Sequence, residues 1–335
     1  MRIILIFFLA LGCGLQLAAQ DIHFSQVHLS PLTTNPANTG AFDGDWRFAS
    51  NYRNQWKAIS TPLETVSASF DSQIYRLPGK FSWGLTFIGD RSGGVQLTVS
   101  KFLASVGYQI QMGSGALNLG LQAGYVIKNY SLAGMTLPGQ WNMEIGQFDS
   151  SLPSGEDGLG DRLSYLDVNA GALYKKAFAK GNFSVGAAIF HVNMPNESFF
   201  DRRNRLPMRP LINGSLRYHL NDKWFIEPNV VAMFHSKAQE ILVNTCAGIT
   251  PENNSDNIQA IYAGIQLRSG VYRNGDAIIV LTGIDFRKFR IGMSYDVNYS
   301  SLNIATDNRG AFEISFVYIS PSSKPKQLTL PCDRY

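Results

Sequence analysis

The sequence predicts an all-β chain that closes into a transmembrane outer-membrane β-barrel of about fourteen antiparallel strands, and two observations support this fold class. The first is a regular alternation of residue types, as in residues 289–299, where every odd position is apolar or aromatic and every even one is polar, charged or Gly. Successive side chains of a strand point to opposite faces, so such a segment offers one face to lipid and one to a polar lumen. The second observation is that short and long connections between the strands follow even-numbered and odd-numbered strands, respectively.

Alternation occurs in about fourteen segments, which together predict a barrel over residues 45–320. The segments are 46–56, 66–70, 81–87, 102–110, 117–127, 166–174, 183–189, 212–218, 224–234, 241–249, 261–267, 278–286, 289–299 and 312–318. Pro228 lies inside one of them. Because proline cannot donate to the hydrogen-bond ladder, that strand is expected to be bulged or wrongly placed.

Connection lengths sort by strand number. The short connections follow even-numbered strands, and they are 76–79, 112–114, 177–181, 221–222 and 287–288. The three longest follow odd-numbered strands, and they are 129–161, 193–207 and 300–309. Outer-membrane barrels place short turns in the periplasm and long loops outside, whereas a soluble sandwich has no reason to sort loops in this way. This pattern predicts that both termini are periplasmic.

The two ends of the chain differ from the barrel. Residues 1–20 have a positive start, an apolar run and small residues before Asp21, which is the pattern of a secretory signal peptide. Residues 21–44 do not alternate and are rich in turn formers, so they are predicted to form an N-terminal periplasmic or plug segment. Residues 321–335 are Pro-rich and are predicted to form an extended periplasmic tail.

Composition agrees with a membrane location. Hydrophobic residues make up 45% of the chain and charged residues only 16%, which suits a protein whose outer face meets lipid. No apolar run after residue 20 approaches the ~18 residues of a membrane helix. The net charge of +4 is too small to indicate a nucleic-acid partner. Cys246 and Cys332 remain after signal cleavage; a disulfide between them is possible, but their spacing does not show whether they pair.

Several charged residues fall on the polar faces of predicted strands: Arg47, Arg53, Arg290, Asp296 and Glu313. The first and last strands must pair to close a barrel, so Arg53 and Glu313 are expected near each other. We expect a buried polar network that plugs the lumen near this seam, with Asn35 and Pro36 folded in as part of a hatch. The alternative is that these are ordinary lumen residues of a water-filled channel.

The long loops carry the other candidate site residues. Loop 129–161 contains Glu156 and Asp157, and loop 193–207 contains Phe199, Phe200, Arg202 and Arg203. Loops of this length are uncommon without a function, so we expect both to contact a partner. The arginines could also bind lipopolysaccharide phosphates, or the loops could simply be solvated. The acidic residues lack the spacing of a Ca²⁺ loop.

No motif in the sequence indicates an enzyme or a cofactor. The five histidines have no metal-ligand spacing with each other or with cysteine, and neither a nucleophile elbow nor a phosphate loop is present. The chain is therefore predicted to be non-enzymatic.

Several blocks resemble the PorP/SprF family of type IX secretion-associated outer-membrane proteins. They are Phe24-Ser25-Gln26, Asn35-Pro36-Ala37, Tyr52-Arg53-Asn54-Gln55-Trp56, the C-terminal blocks 272–278, 291–296 and 312–314, and the closing residues 331–335. The sequence departs from the family at 309–311, where a Gly-Ser-His run is common, and at Asp333, where Pro is expected. The resemblance spans nearly the whole mature chain.

The resemblance implies an outer-membrane accessory protein of type IX secretion. Its partners would be the periplasmic ring lipoproteins of the machine, or a large secreted adhesin used in gliding, with outer-membrane lipids around the barrel and no nucleic acid. A channel for small hydrophobic substrates, similar to fatty-acid transporters, is the alternative, because the Asn-Pro-Ala segment and the barrel size also suit that class.

Overall fold

The computed structural model describes residues 22–55, 62–76, 79–93, 96–131, 136–149, 151–153, 162–199, 203–236, 238–251, 257–270, 275–300 and 308–323. Several predicted features lie outside these residues: the signal peptide, Trp56, Glu156, Asp157, Phe200, Arg202, Cys332 and residues 324–335 of the tail. Cys246 is buried, and its pairing with Cys332 stays a prediction.

The described residues form one closed barrel of fourteen antiparallel strands. The strands are β1 Trp46–Gln55, β2 Leu63–Ile74, β3 Lys80–Ser92, β4 Leu97–Met112, β5 Gly115–Asn129, β8 Arg162–Phe178, β9 Gly181–Phe190, β10 Arg209–His219, β11 Trp224–His235, β12 Ala238–Ile249, β13 Ile258–Gly270, β14 Gly275–Phe286, β15 Phe289–Asn298 and β16 Arg309–Ile319. Two short strands, β6 Trp141–Asn142 and β7 Gln147–Phe148, form a separate hairpin between β5 and β8. Each barrel strand pairs with the next, and β1 pairs with β16. The predicted fold class is confirmed.

Alternation along the strands separates two environments. Large apolar side chains such as Leu121, which is 65% exposed, point outward, while the neighbouring Gln122 is buried inside. Aromatic rings gather near both ends of the outer surface, for example Phe87 with Phe102 at one end and Trp46 with Phe70 at the other. An apolar band between two aromatic belts is the surface that a bilayer requires of a barrel.

The barrel has a long-loop end and a short-turn end. Connections 130–161, 191–208 and 299–308 lie at the long-loop end, and tight turns such as Arg287–Lys288 lie at the short-turn end. Four connections do not follow the predicted pattern. Residues 93–96 and 271–274 are short connections at the long-loop end. Only residues 236–237 join β11 to β12 at the long-loop end, and residues 250–257 join β12 to β13 at the short-turn end.

Pro228 does not produce the predicted bulge. It pairs with Thr245 of β12 inside an unbroken ladder. On the other side, the register of β10 with β11 is the same before and after it, since Ser215 faces Asn229 and Tyr218 faces Ile226. The missing N–H therefore interrupts the ladder with β10 without shifting it, and the expectation of a bulge or a misplaced strand was wrong.

Residues 22–44, called the plug segment below, run through the barrel. They form a 3₁₀ turn at Val27–Leu29, helix α1 at Pro31–Thr34 and a second 3₁₀ turn at Pro36–Asn38. Each of the last two elements begins with proline, whose fixed φ suits a first helical position where no N–H is needed. Ile22 packs at the long-loop end, and Asp45, just after the segment, bonds to Ser320 at the short-turn end.

None of the helices among the described residues is long and apolar enough to cross a membrane.

We predict that Leu121→Arg destabilises the folded barrel by about 2–4 kcal/mol, because it places a charge at the lipid-facing centre of β5. The measurement is the urea midpoint of unfolding from phospholipid vesicles. Met143→Arg is the control, because Met143 is exposed in the hairpin between β6 and β7. Equal effects of the two substitutions would contradict the assignment of the outer face.

Candidate functional site

The centre of the plug segment lies on a row of glycines. Gly107 of β4 faces Gly120 of β5, which faces Gly171 of β8. A Cβ on Gly120 would overlap the carbonyl of Pro36, and a Cβ on Gly171 would overlap the side chain of Asn35. Only glycine lets the plug backbone come this close to the wall, so the row forms a fitted seat.

Asn35 joins the plug segment to three strands. Its side-chain amide donates to the carbonyls of Ala172 on β8 (3.2 Å) and Ala187 on β9 (3.3 Å) and to Asn213 Oδ1 on β10 (3.1 Å). Its oxygen accepts the backbone N–H of Ala37 (2.9 Å) and so caps the second 3₁₀ turn. Asn35 is fully buried, and these bonds satisfy it.

A second attachment lies at the seam between β1 and β16. Arg53 and Glu313 face each other directly across it, with Arg53 Nη1 3.2 Å from Glu313 Oε2. Arg53 Nη2 also lies 2.8 Å from Asp296 Oδ2 on β15. The two Glu313 oxygens accept the backbone N–H groups of Ser25 (2.7 Å) and Gln26 (2.8 Å). One carboxylate thus bonds both to the seam and to the plug.

Sequence reasoning missed Arg268, which completes this network. Its Nη1 lies 2.8 Å from Asp296 Oδ2, and its Nε lies 2.5 Å from Asp276 Oδ2. The predicted strand ended at Leu267, although the alternation continued through Arg268. With Arg268 included, two buried guanidinium groups balance the carboxylates of Asp296 and Glu313, as buried charges require.

A third attachment holds the plug segment where it leaves the lumen. Arg47 on β1 makes a bidentate hydrogen bond to Asp71 on β2. Its Nε lies 3.0 Å from Asp71 Oδ1, and its Nη2 lies 2.8 Å from Asp71 Oδ2. The Arg47 guanidinium also donates to the carbonyl of Asn38, and Asp71 accepts the N–H of Gly40 (both 2.8 Å). Asp71 was not predicted; its pairing depends on the register of β1 with β2, in which it lies opposite Arg47.

The structure places Arg290 in a separate cluster, away from the Arg53 network. Arg290 makes a bidentate bond to Asp285 (2.6 and 2.7 Å). Arg217 on β10 bonds to Glu227 on β11 (3.0 and 2.7 Å) and lies 3.6 Å from Asp285. The four groups are balanced in charge and lie at the short-turn end.

Asp45 connects the end of the plug segment to the start of the tail. Tyr75 donates a 2.6 Å bond to one carboxylate oxygen, and the Ser323 N–H donates a 2.9 Å bond to the other. The Tyr75 bond, followed by those from Ser323, lowers the pKa of Asp45. A lowered folded-state pKa means that this contact is fully present above the ordinary carboxyl pKa and is lost as the pH falls through the folded one.

The described residues contain no group of three or more His, Cys, Asp or Glu side chains that could hold a metal ion. The charged groups of Arg47, Arg53, Asp71 and Glu313 instead bond to a buried segment inside the barrel.

A family model described as the type IX secretion system membrane protein PorP/SprF matches residues 16–318, nearly the whole chain. The chain belongs to the PorP/SprF family. No curated protein matches it. The predicted resemblance is thereby confirmed, and the closed barrel together with the family places this PorP/SprF protein in the outer membrane.

Solved barrels resemble the PorP/SprF protein at low identity. The Pseudomonas putida toluene transporter TodX is 12% identical over 90% of this chain and 94% of its own, with a TM-score of 0.45. A Pseudomonas aeruginosa FadL homologue is 11% identical over 87% and 94%, with a TM-score of 0.44. The CymD monoaromatic hydrocarbon channel is 10% identical over 91% and 94%, with a TM-score of 0.49. These likenesses concern the fold and not the ligands.

Described residues of connection 191–208 pack over the barrel wall at the long-loop end of this family member. Phe199 meets Tyr130 edge-on, with ring centroids 4.9 Å apart, and packs with Leu206 and Ile22 over an apolar cluster of the wall. Glu197 forms an ion pair with Lys128 of β5. Phe199 is thus half-buried as part of a cover, whereas Arg203 is exposed to solvent.

We predict that Gly120→Val expels the plug segment and gives the barrel a large, steady conductance in planar bilayers, where the wild type stays closed. The new side chain occupies the position of the Pro36 carbonyl. Gly214→Val is the control, because a Cβ on Gly214 makes only ordinary contact with Val230. A closed Gly120→Val barrel, or an open wild type, would count against the plug.

We predict that Glu313→Gln weakens plug attachment by about 3–5 kcal/mol, since a buried ion pair loses one partner and the new NH₂ opposes a plug N–H. Brief channel openings and faster proteolysis of residues 22–44 would report this. Glu64→Gln serves as the control, because the described residues that donate to Glu64 are Tyr52 and Asn54 on the neighbouring strand. If both variants keep the wild-type protection, Glu313 does not hold the plug.

Proposed function

We propose that this protein is a non-enzymatic accessory component of type IX secretion, which binds or anchors a secreted surface protein at the outer membrane. In this proposal the long-loop end faces the outside and holds the partner, an adhesin of the kind used in gliding. The short-turn end and the tail face the periplasm and dock to the secretion ring. Family membership supports the secretion role, and the sorting of loop lengths supports the orientation.

The observation that carries this proposal is the attachment of the plug segment to the inner wall of the barrel. The plug segment bonds to the wall at the glycine seat, at the seam and at Arg47. These attachments lie on strands β8, β16 and β1. A barrel filled in this way does not serve as an open pore. It acts instead through the surfaces at its two ends, where a partner and the secretion machine can be held at a fixed distance.

Connections 130–161 and 191–208 are the proposed contact surface. The hairpin of β6 and β7 exposes Trp141, Met143 and Ile145, which a protein partner could bury. Arg203 adds an exposed charge at the mouth. Phe199, by contrast, is engaged in covering the barrel, so its role in partner binding would be indirect.

The test is to tag the C-terminal tail, extract the outer membrane in mild detergent and identify what co-purifies. We expect a large surface protein in stoichiometric amount for an adhesin anchor, or periplasmic ring lipoproteins for a part of the machine. Deletion of the β6–β7 hairpin should release the surface protein and leave the barrel folded. A wild-type barrel that comes out alone, with bound lipid, would contradict the proposal.

A channel for small hydrophobic substrates is the second candidate, and one observation favours it. A small cavity between the plug segment and strands β10 and β11 is lined by six apolar side chains together with His23, Thr33, Thr34 and Arg209. The lining apolar residues are Ile22, Phe24, Val27, Leu211, Val231 and Met233. Loss of growth on exogenous fatty acid after gene deletion would favour this function over the first.

A further inference from the structure

Strand β8 extends beyond its neighbour β9 at the long-loop end. The two strands pair from Phe178 with Gly181 to Ala170 with Ile189. β9 ends at Phe190, whereas β8 continues outward to Arg162. On its β9 side, the outer part of β8 therefore has no strand beside it among the described residues.

The first backbone groups beyond β9 are capped by the connection itself. The Val168 carbonyl accepts the N–H of Val192 (2.9 Å), and the Val168 N–H donates to Asn193 Oδ1 (3.2 Å). Asn193 Nδ2 also donates to the Leu166 carbonyl (2.6 Å). In an antiparallel sheet, alternate residues direct both backbone groups to the same side. The N–H of Leu166 and both groups of Ser164 and Arg162 consequently face this edge, and no described residue pairs with them.

The outer part of β8 is held in place on its other side. On its other side the same stretch pairs without interruption with β5, from Asn129 opposite Arg162 to Gly124 opposite Asp167. Its inward side chains, Leu163 and Tyr165, are buried in the apolar cluster under connection 191–208. An ordered strand that is paired on one side only is a template for another strand.

The aromatic belt indicates where this edge lies relative to the membrane. Leu166 is 54% exposed and lies opposite Tyr125, which in turn lies opposite Phe102. Leu166 is therefore level with the outer aromatic belt, and Ser164 and Arg162 lie beyond it, outside the lipid. The stretch contains no proline and no bulge, which are the usual devices that prevent a strand from adding. Its one charge is Arg162, at the outermost position.

We propose that the outer edge of β8, Arg162–Leu166, receives an extended segment of the secreted partner protein as an added strand of about five residues. The proposal rests on the proposed function and names where and how that partner is held. Unpaired N–H and C=O groups in a row select an extended peptide. The residue beside Leu166 is apolar because it meets the aromatic belt, and the residue beside Arg162 is acidic.

The test uses a photo-crosslinking residue, benzoylphenylalanine, placed in turn at positions 162, 164 and 166 in secreting cells. We expect all three sites to crosslink to one segment of a secreted protein. The crosslinked residue in that segment should shift by two residues when the probe moves from 162 to 164 and from 164 to 166. That spacing is the signature of strand pairing. Crosslinks that fall only within this chain, at 154–161 or 200–202, or only on lipid, overturn the proposal.

Ser164→Pro provides the matching loss-of-function variant. It removes an N–H that faces the edge and leaves the ladder with β5 intact, as proline is tolerated on an edge. We expect several-fold less partner retained in the outer membrane, with barrel folding unchanged. Ser164→Ala keeps the N–H and should retain the partner. If the Ser164→Pro variant retains as much partner as the wild type, the added strand is overturned while the proposed function stands. If the wild type itself retains no secreted protein, the proposed function is refuted.

Discussion

The buried carboxylate of Glu313 is the group on which both barrel closure and lumen filling depend. A carboxylate with no solvent exposure is strongly destabilising unless its charge is matched and its oxygens accept hydrogen bonds. Arg53 supplies the charge from the first strand, and the backbone of Ser25 and Gln26 supplies the donors. In an unplugged barrel, water would have to replace the two plug donors of Glu313, and an open seam would separate its carboxylate from Arg53. Closure and plugging are therefore coupled through one side chain.

The wall well away from the seam holds the plug segment by a different means. A fourteen-stranded barrel encloses more space than lumen side chains alone can fill, unlike an eight-stranded one. At the row of Gly107, Gly120 and Gly171 the side chains are absent, and the backbone of the plug takes their place. Hydrogen bonds to ion-paired side chains hold the plug segment at the wall near the seam, and close backbone contact holds it at the wall of β4, β5 and β8. Together they define a single position for the segment along the lumen.

The strands could be predicted from sequence because lipid and lumen place opposite demands on successive residues. The meeting of Arg53 with Glu313 followed from the need to pair the first and last strands. The position of Arg290 does not follow from this pairing. Arg290 lies six residues from Asp296 on β15, about 20 Å along the strand, so the two join different networks. The glycine row was also hidden, because it exists only when β4, β5 and β8 are aligned.

The order of assembly follows from these contacts. The plug segment passes through the lumen from one end to the other, and its Ser25 bonds to Glu313, 288 residues further along the chain. At the glycine seat the plug backbone leaves no room for a Cβ on the wall, so we expect late threading of a finished barrel to be hindered. We therefore expect the wild-type plug segment to lie against β4, β5 and β8 before β16 pairs with β1. Contacts between such distant parts of a chain form slowly. In this order the final strand pairing both closes the sheet and gives Glu313 its partners, so we expect the seam to be the last part of the molecule to become stable.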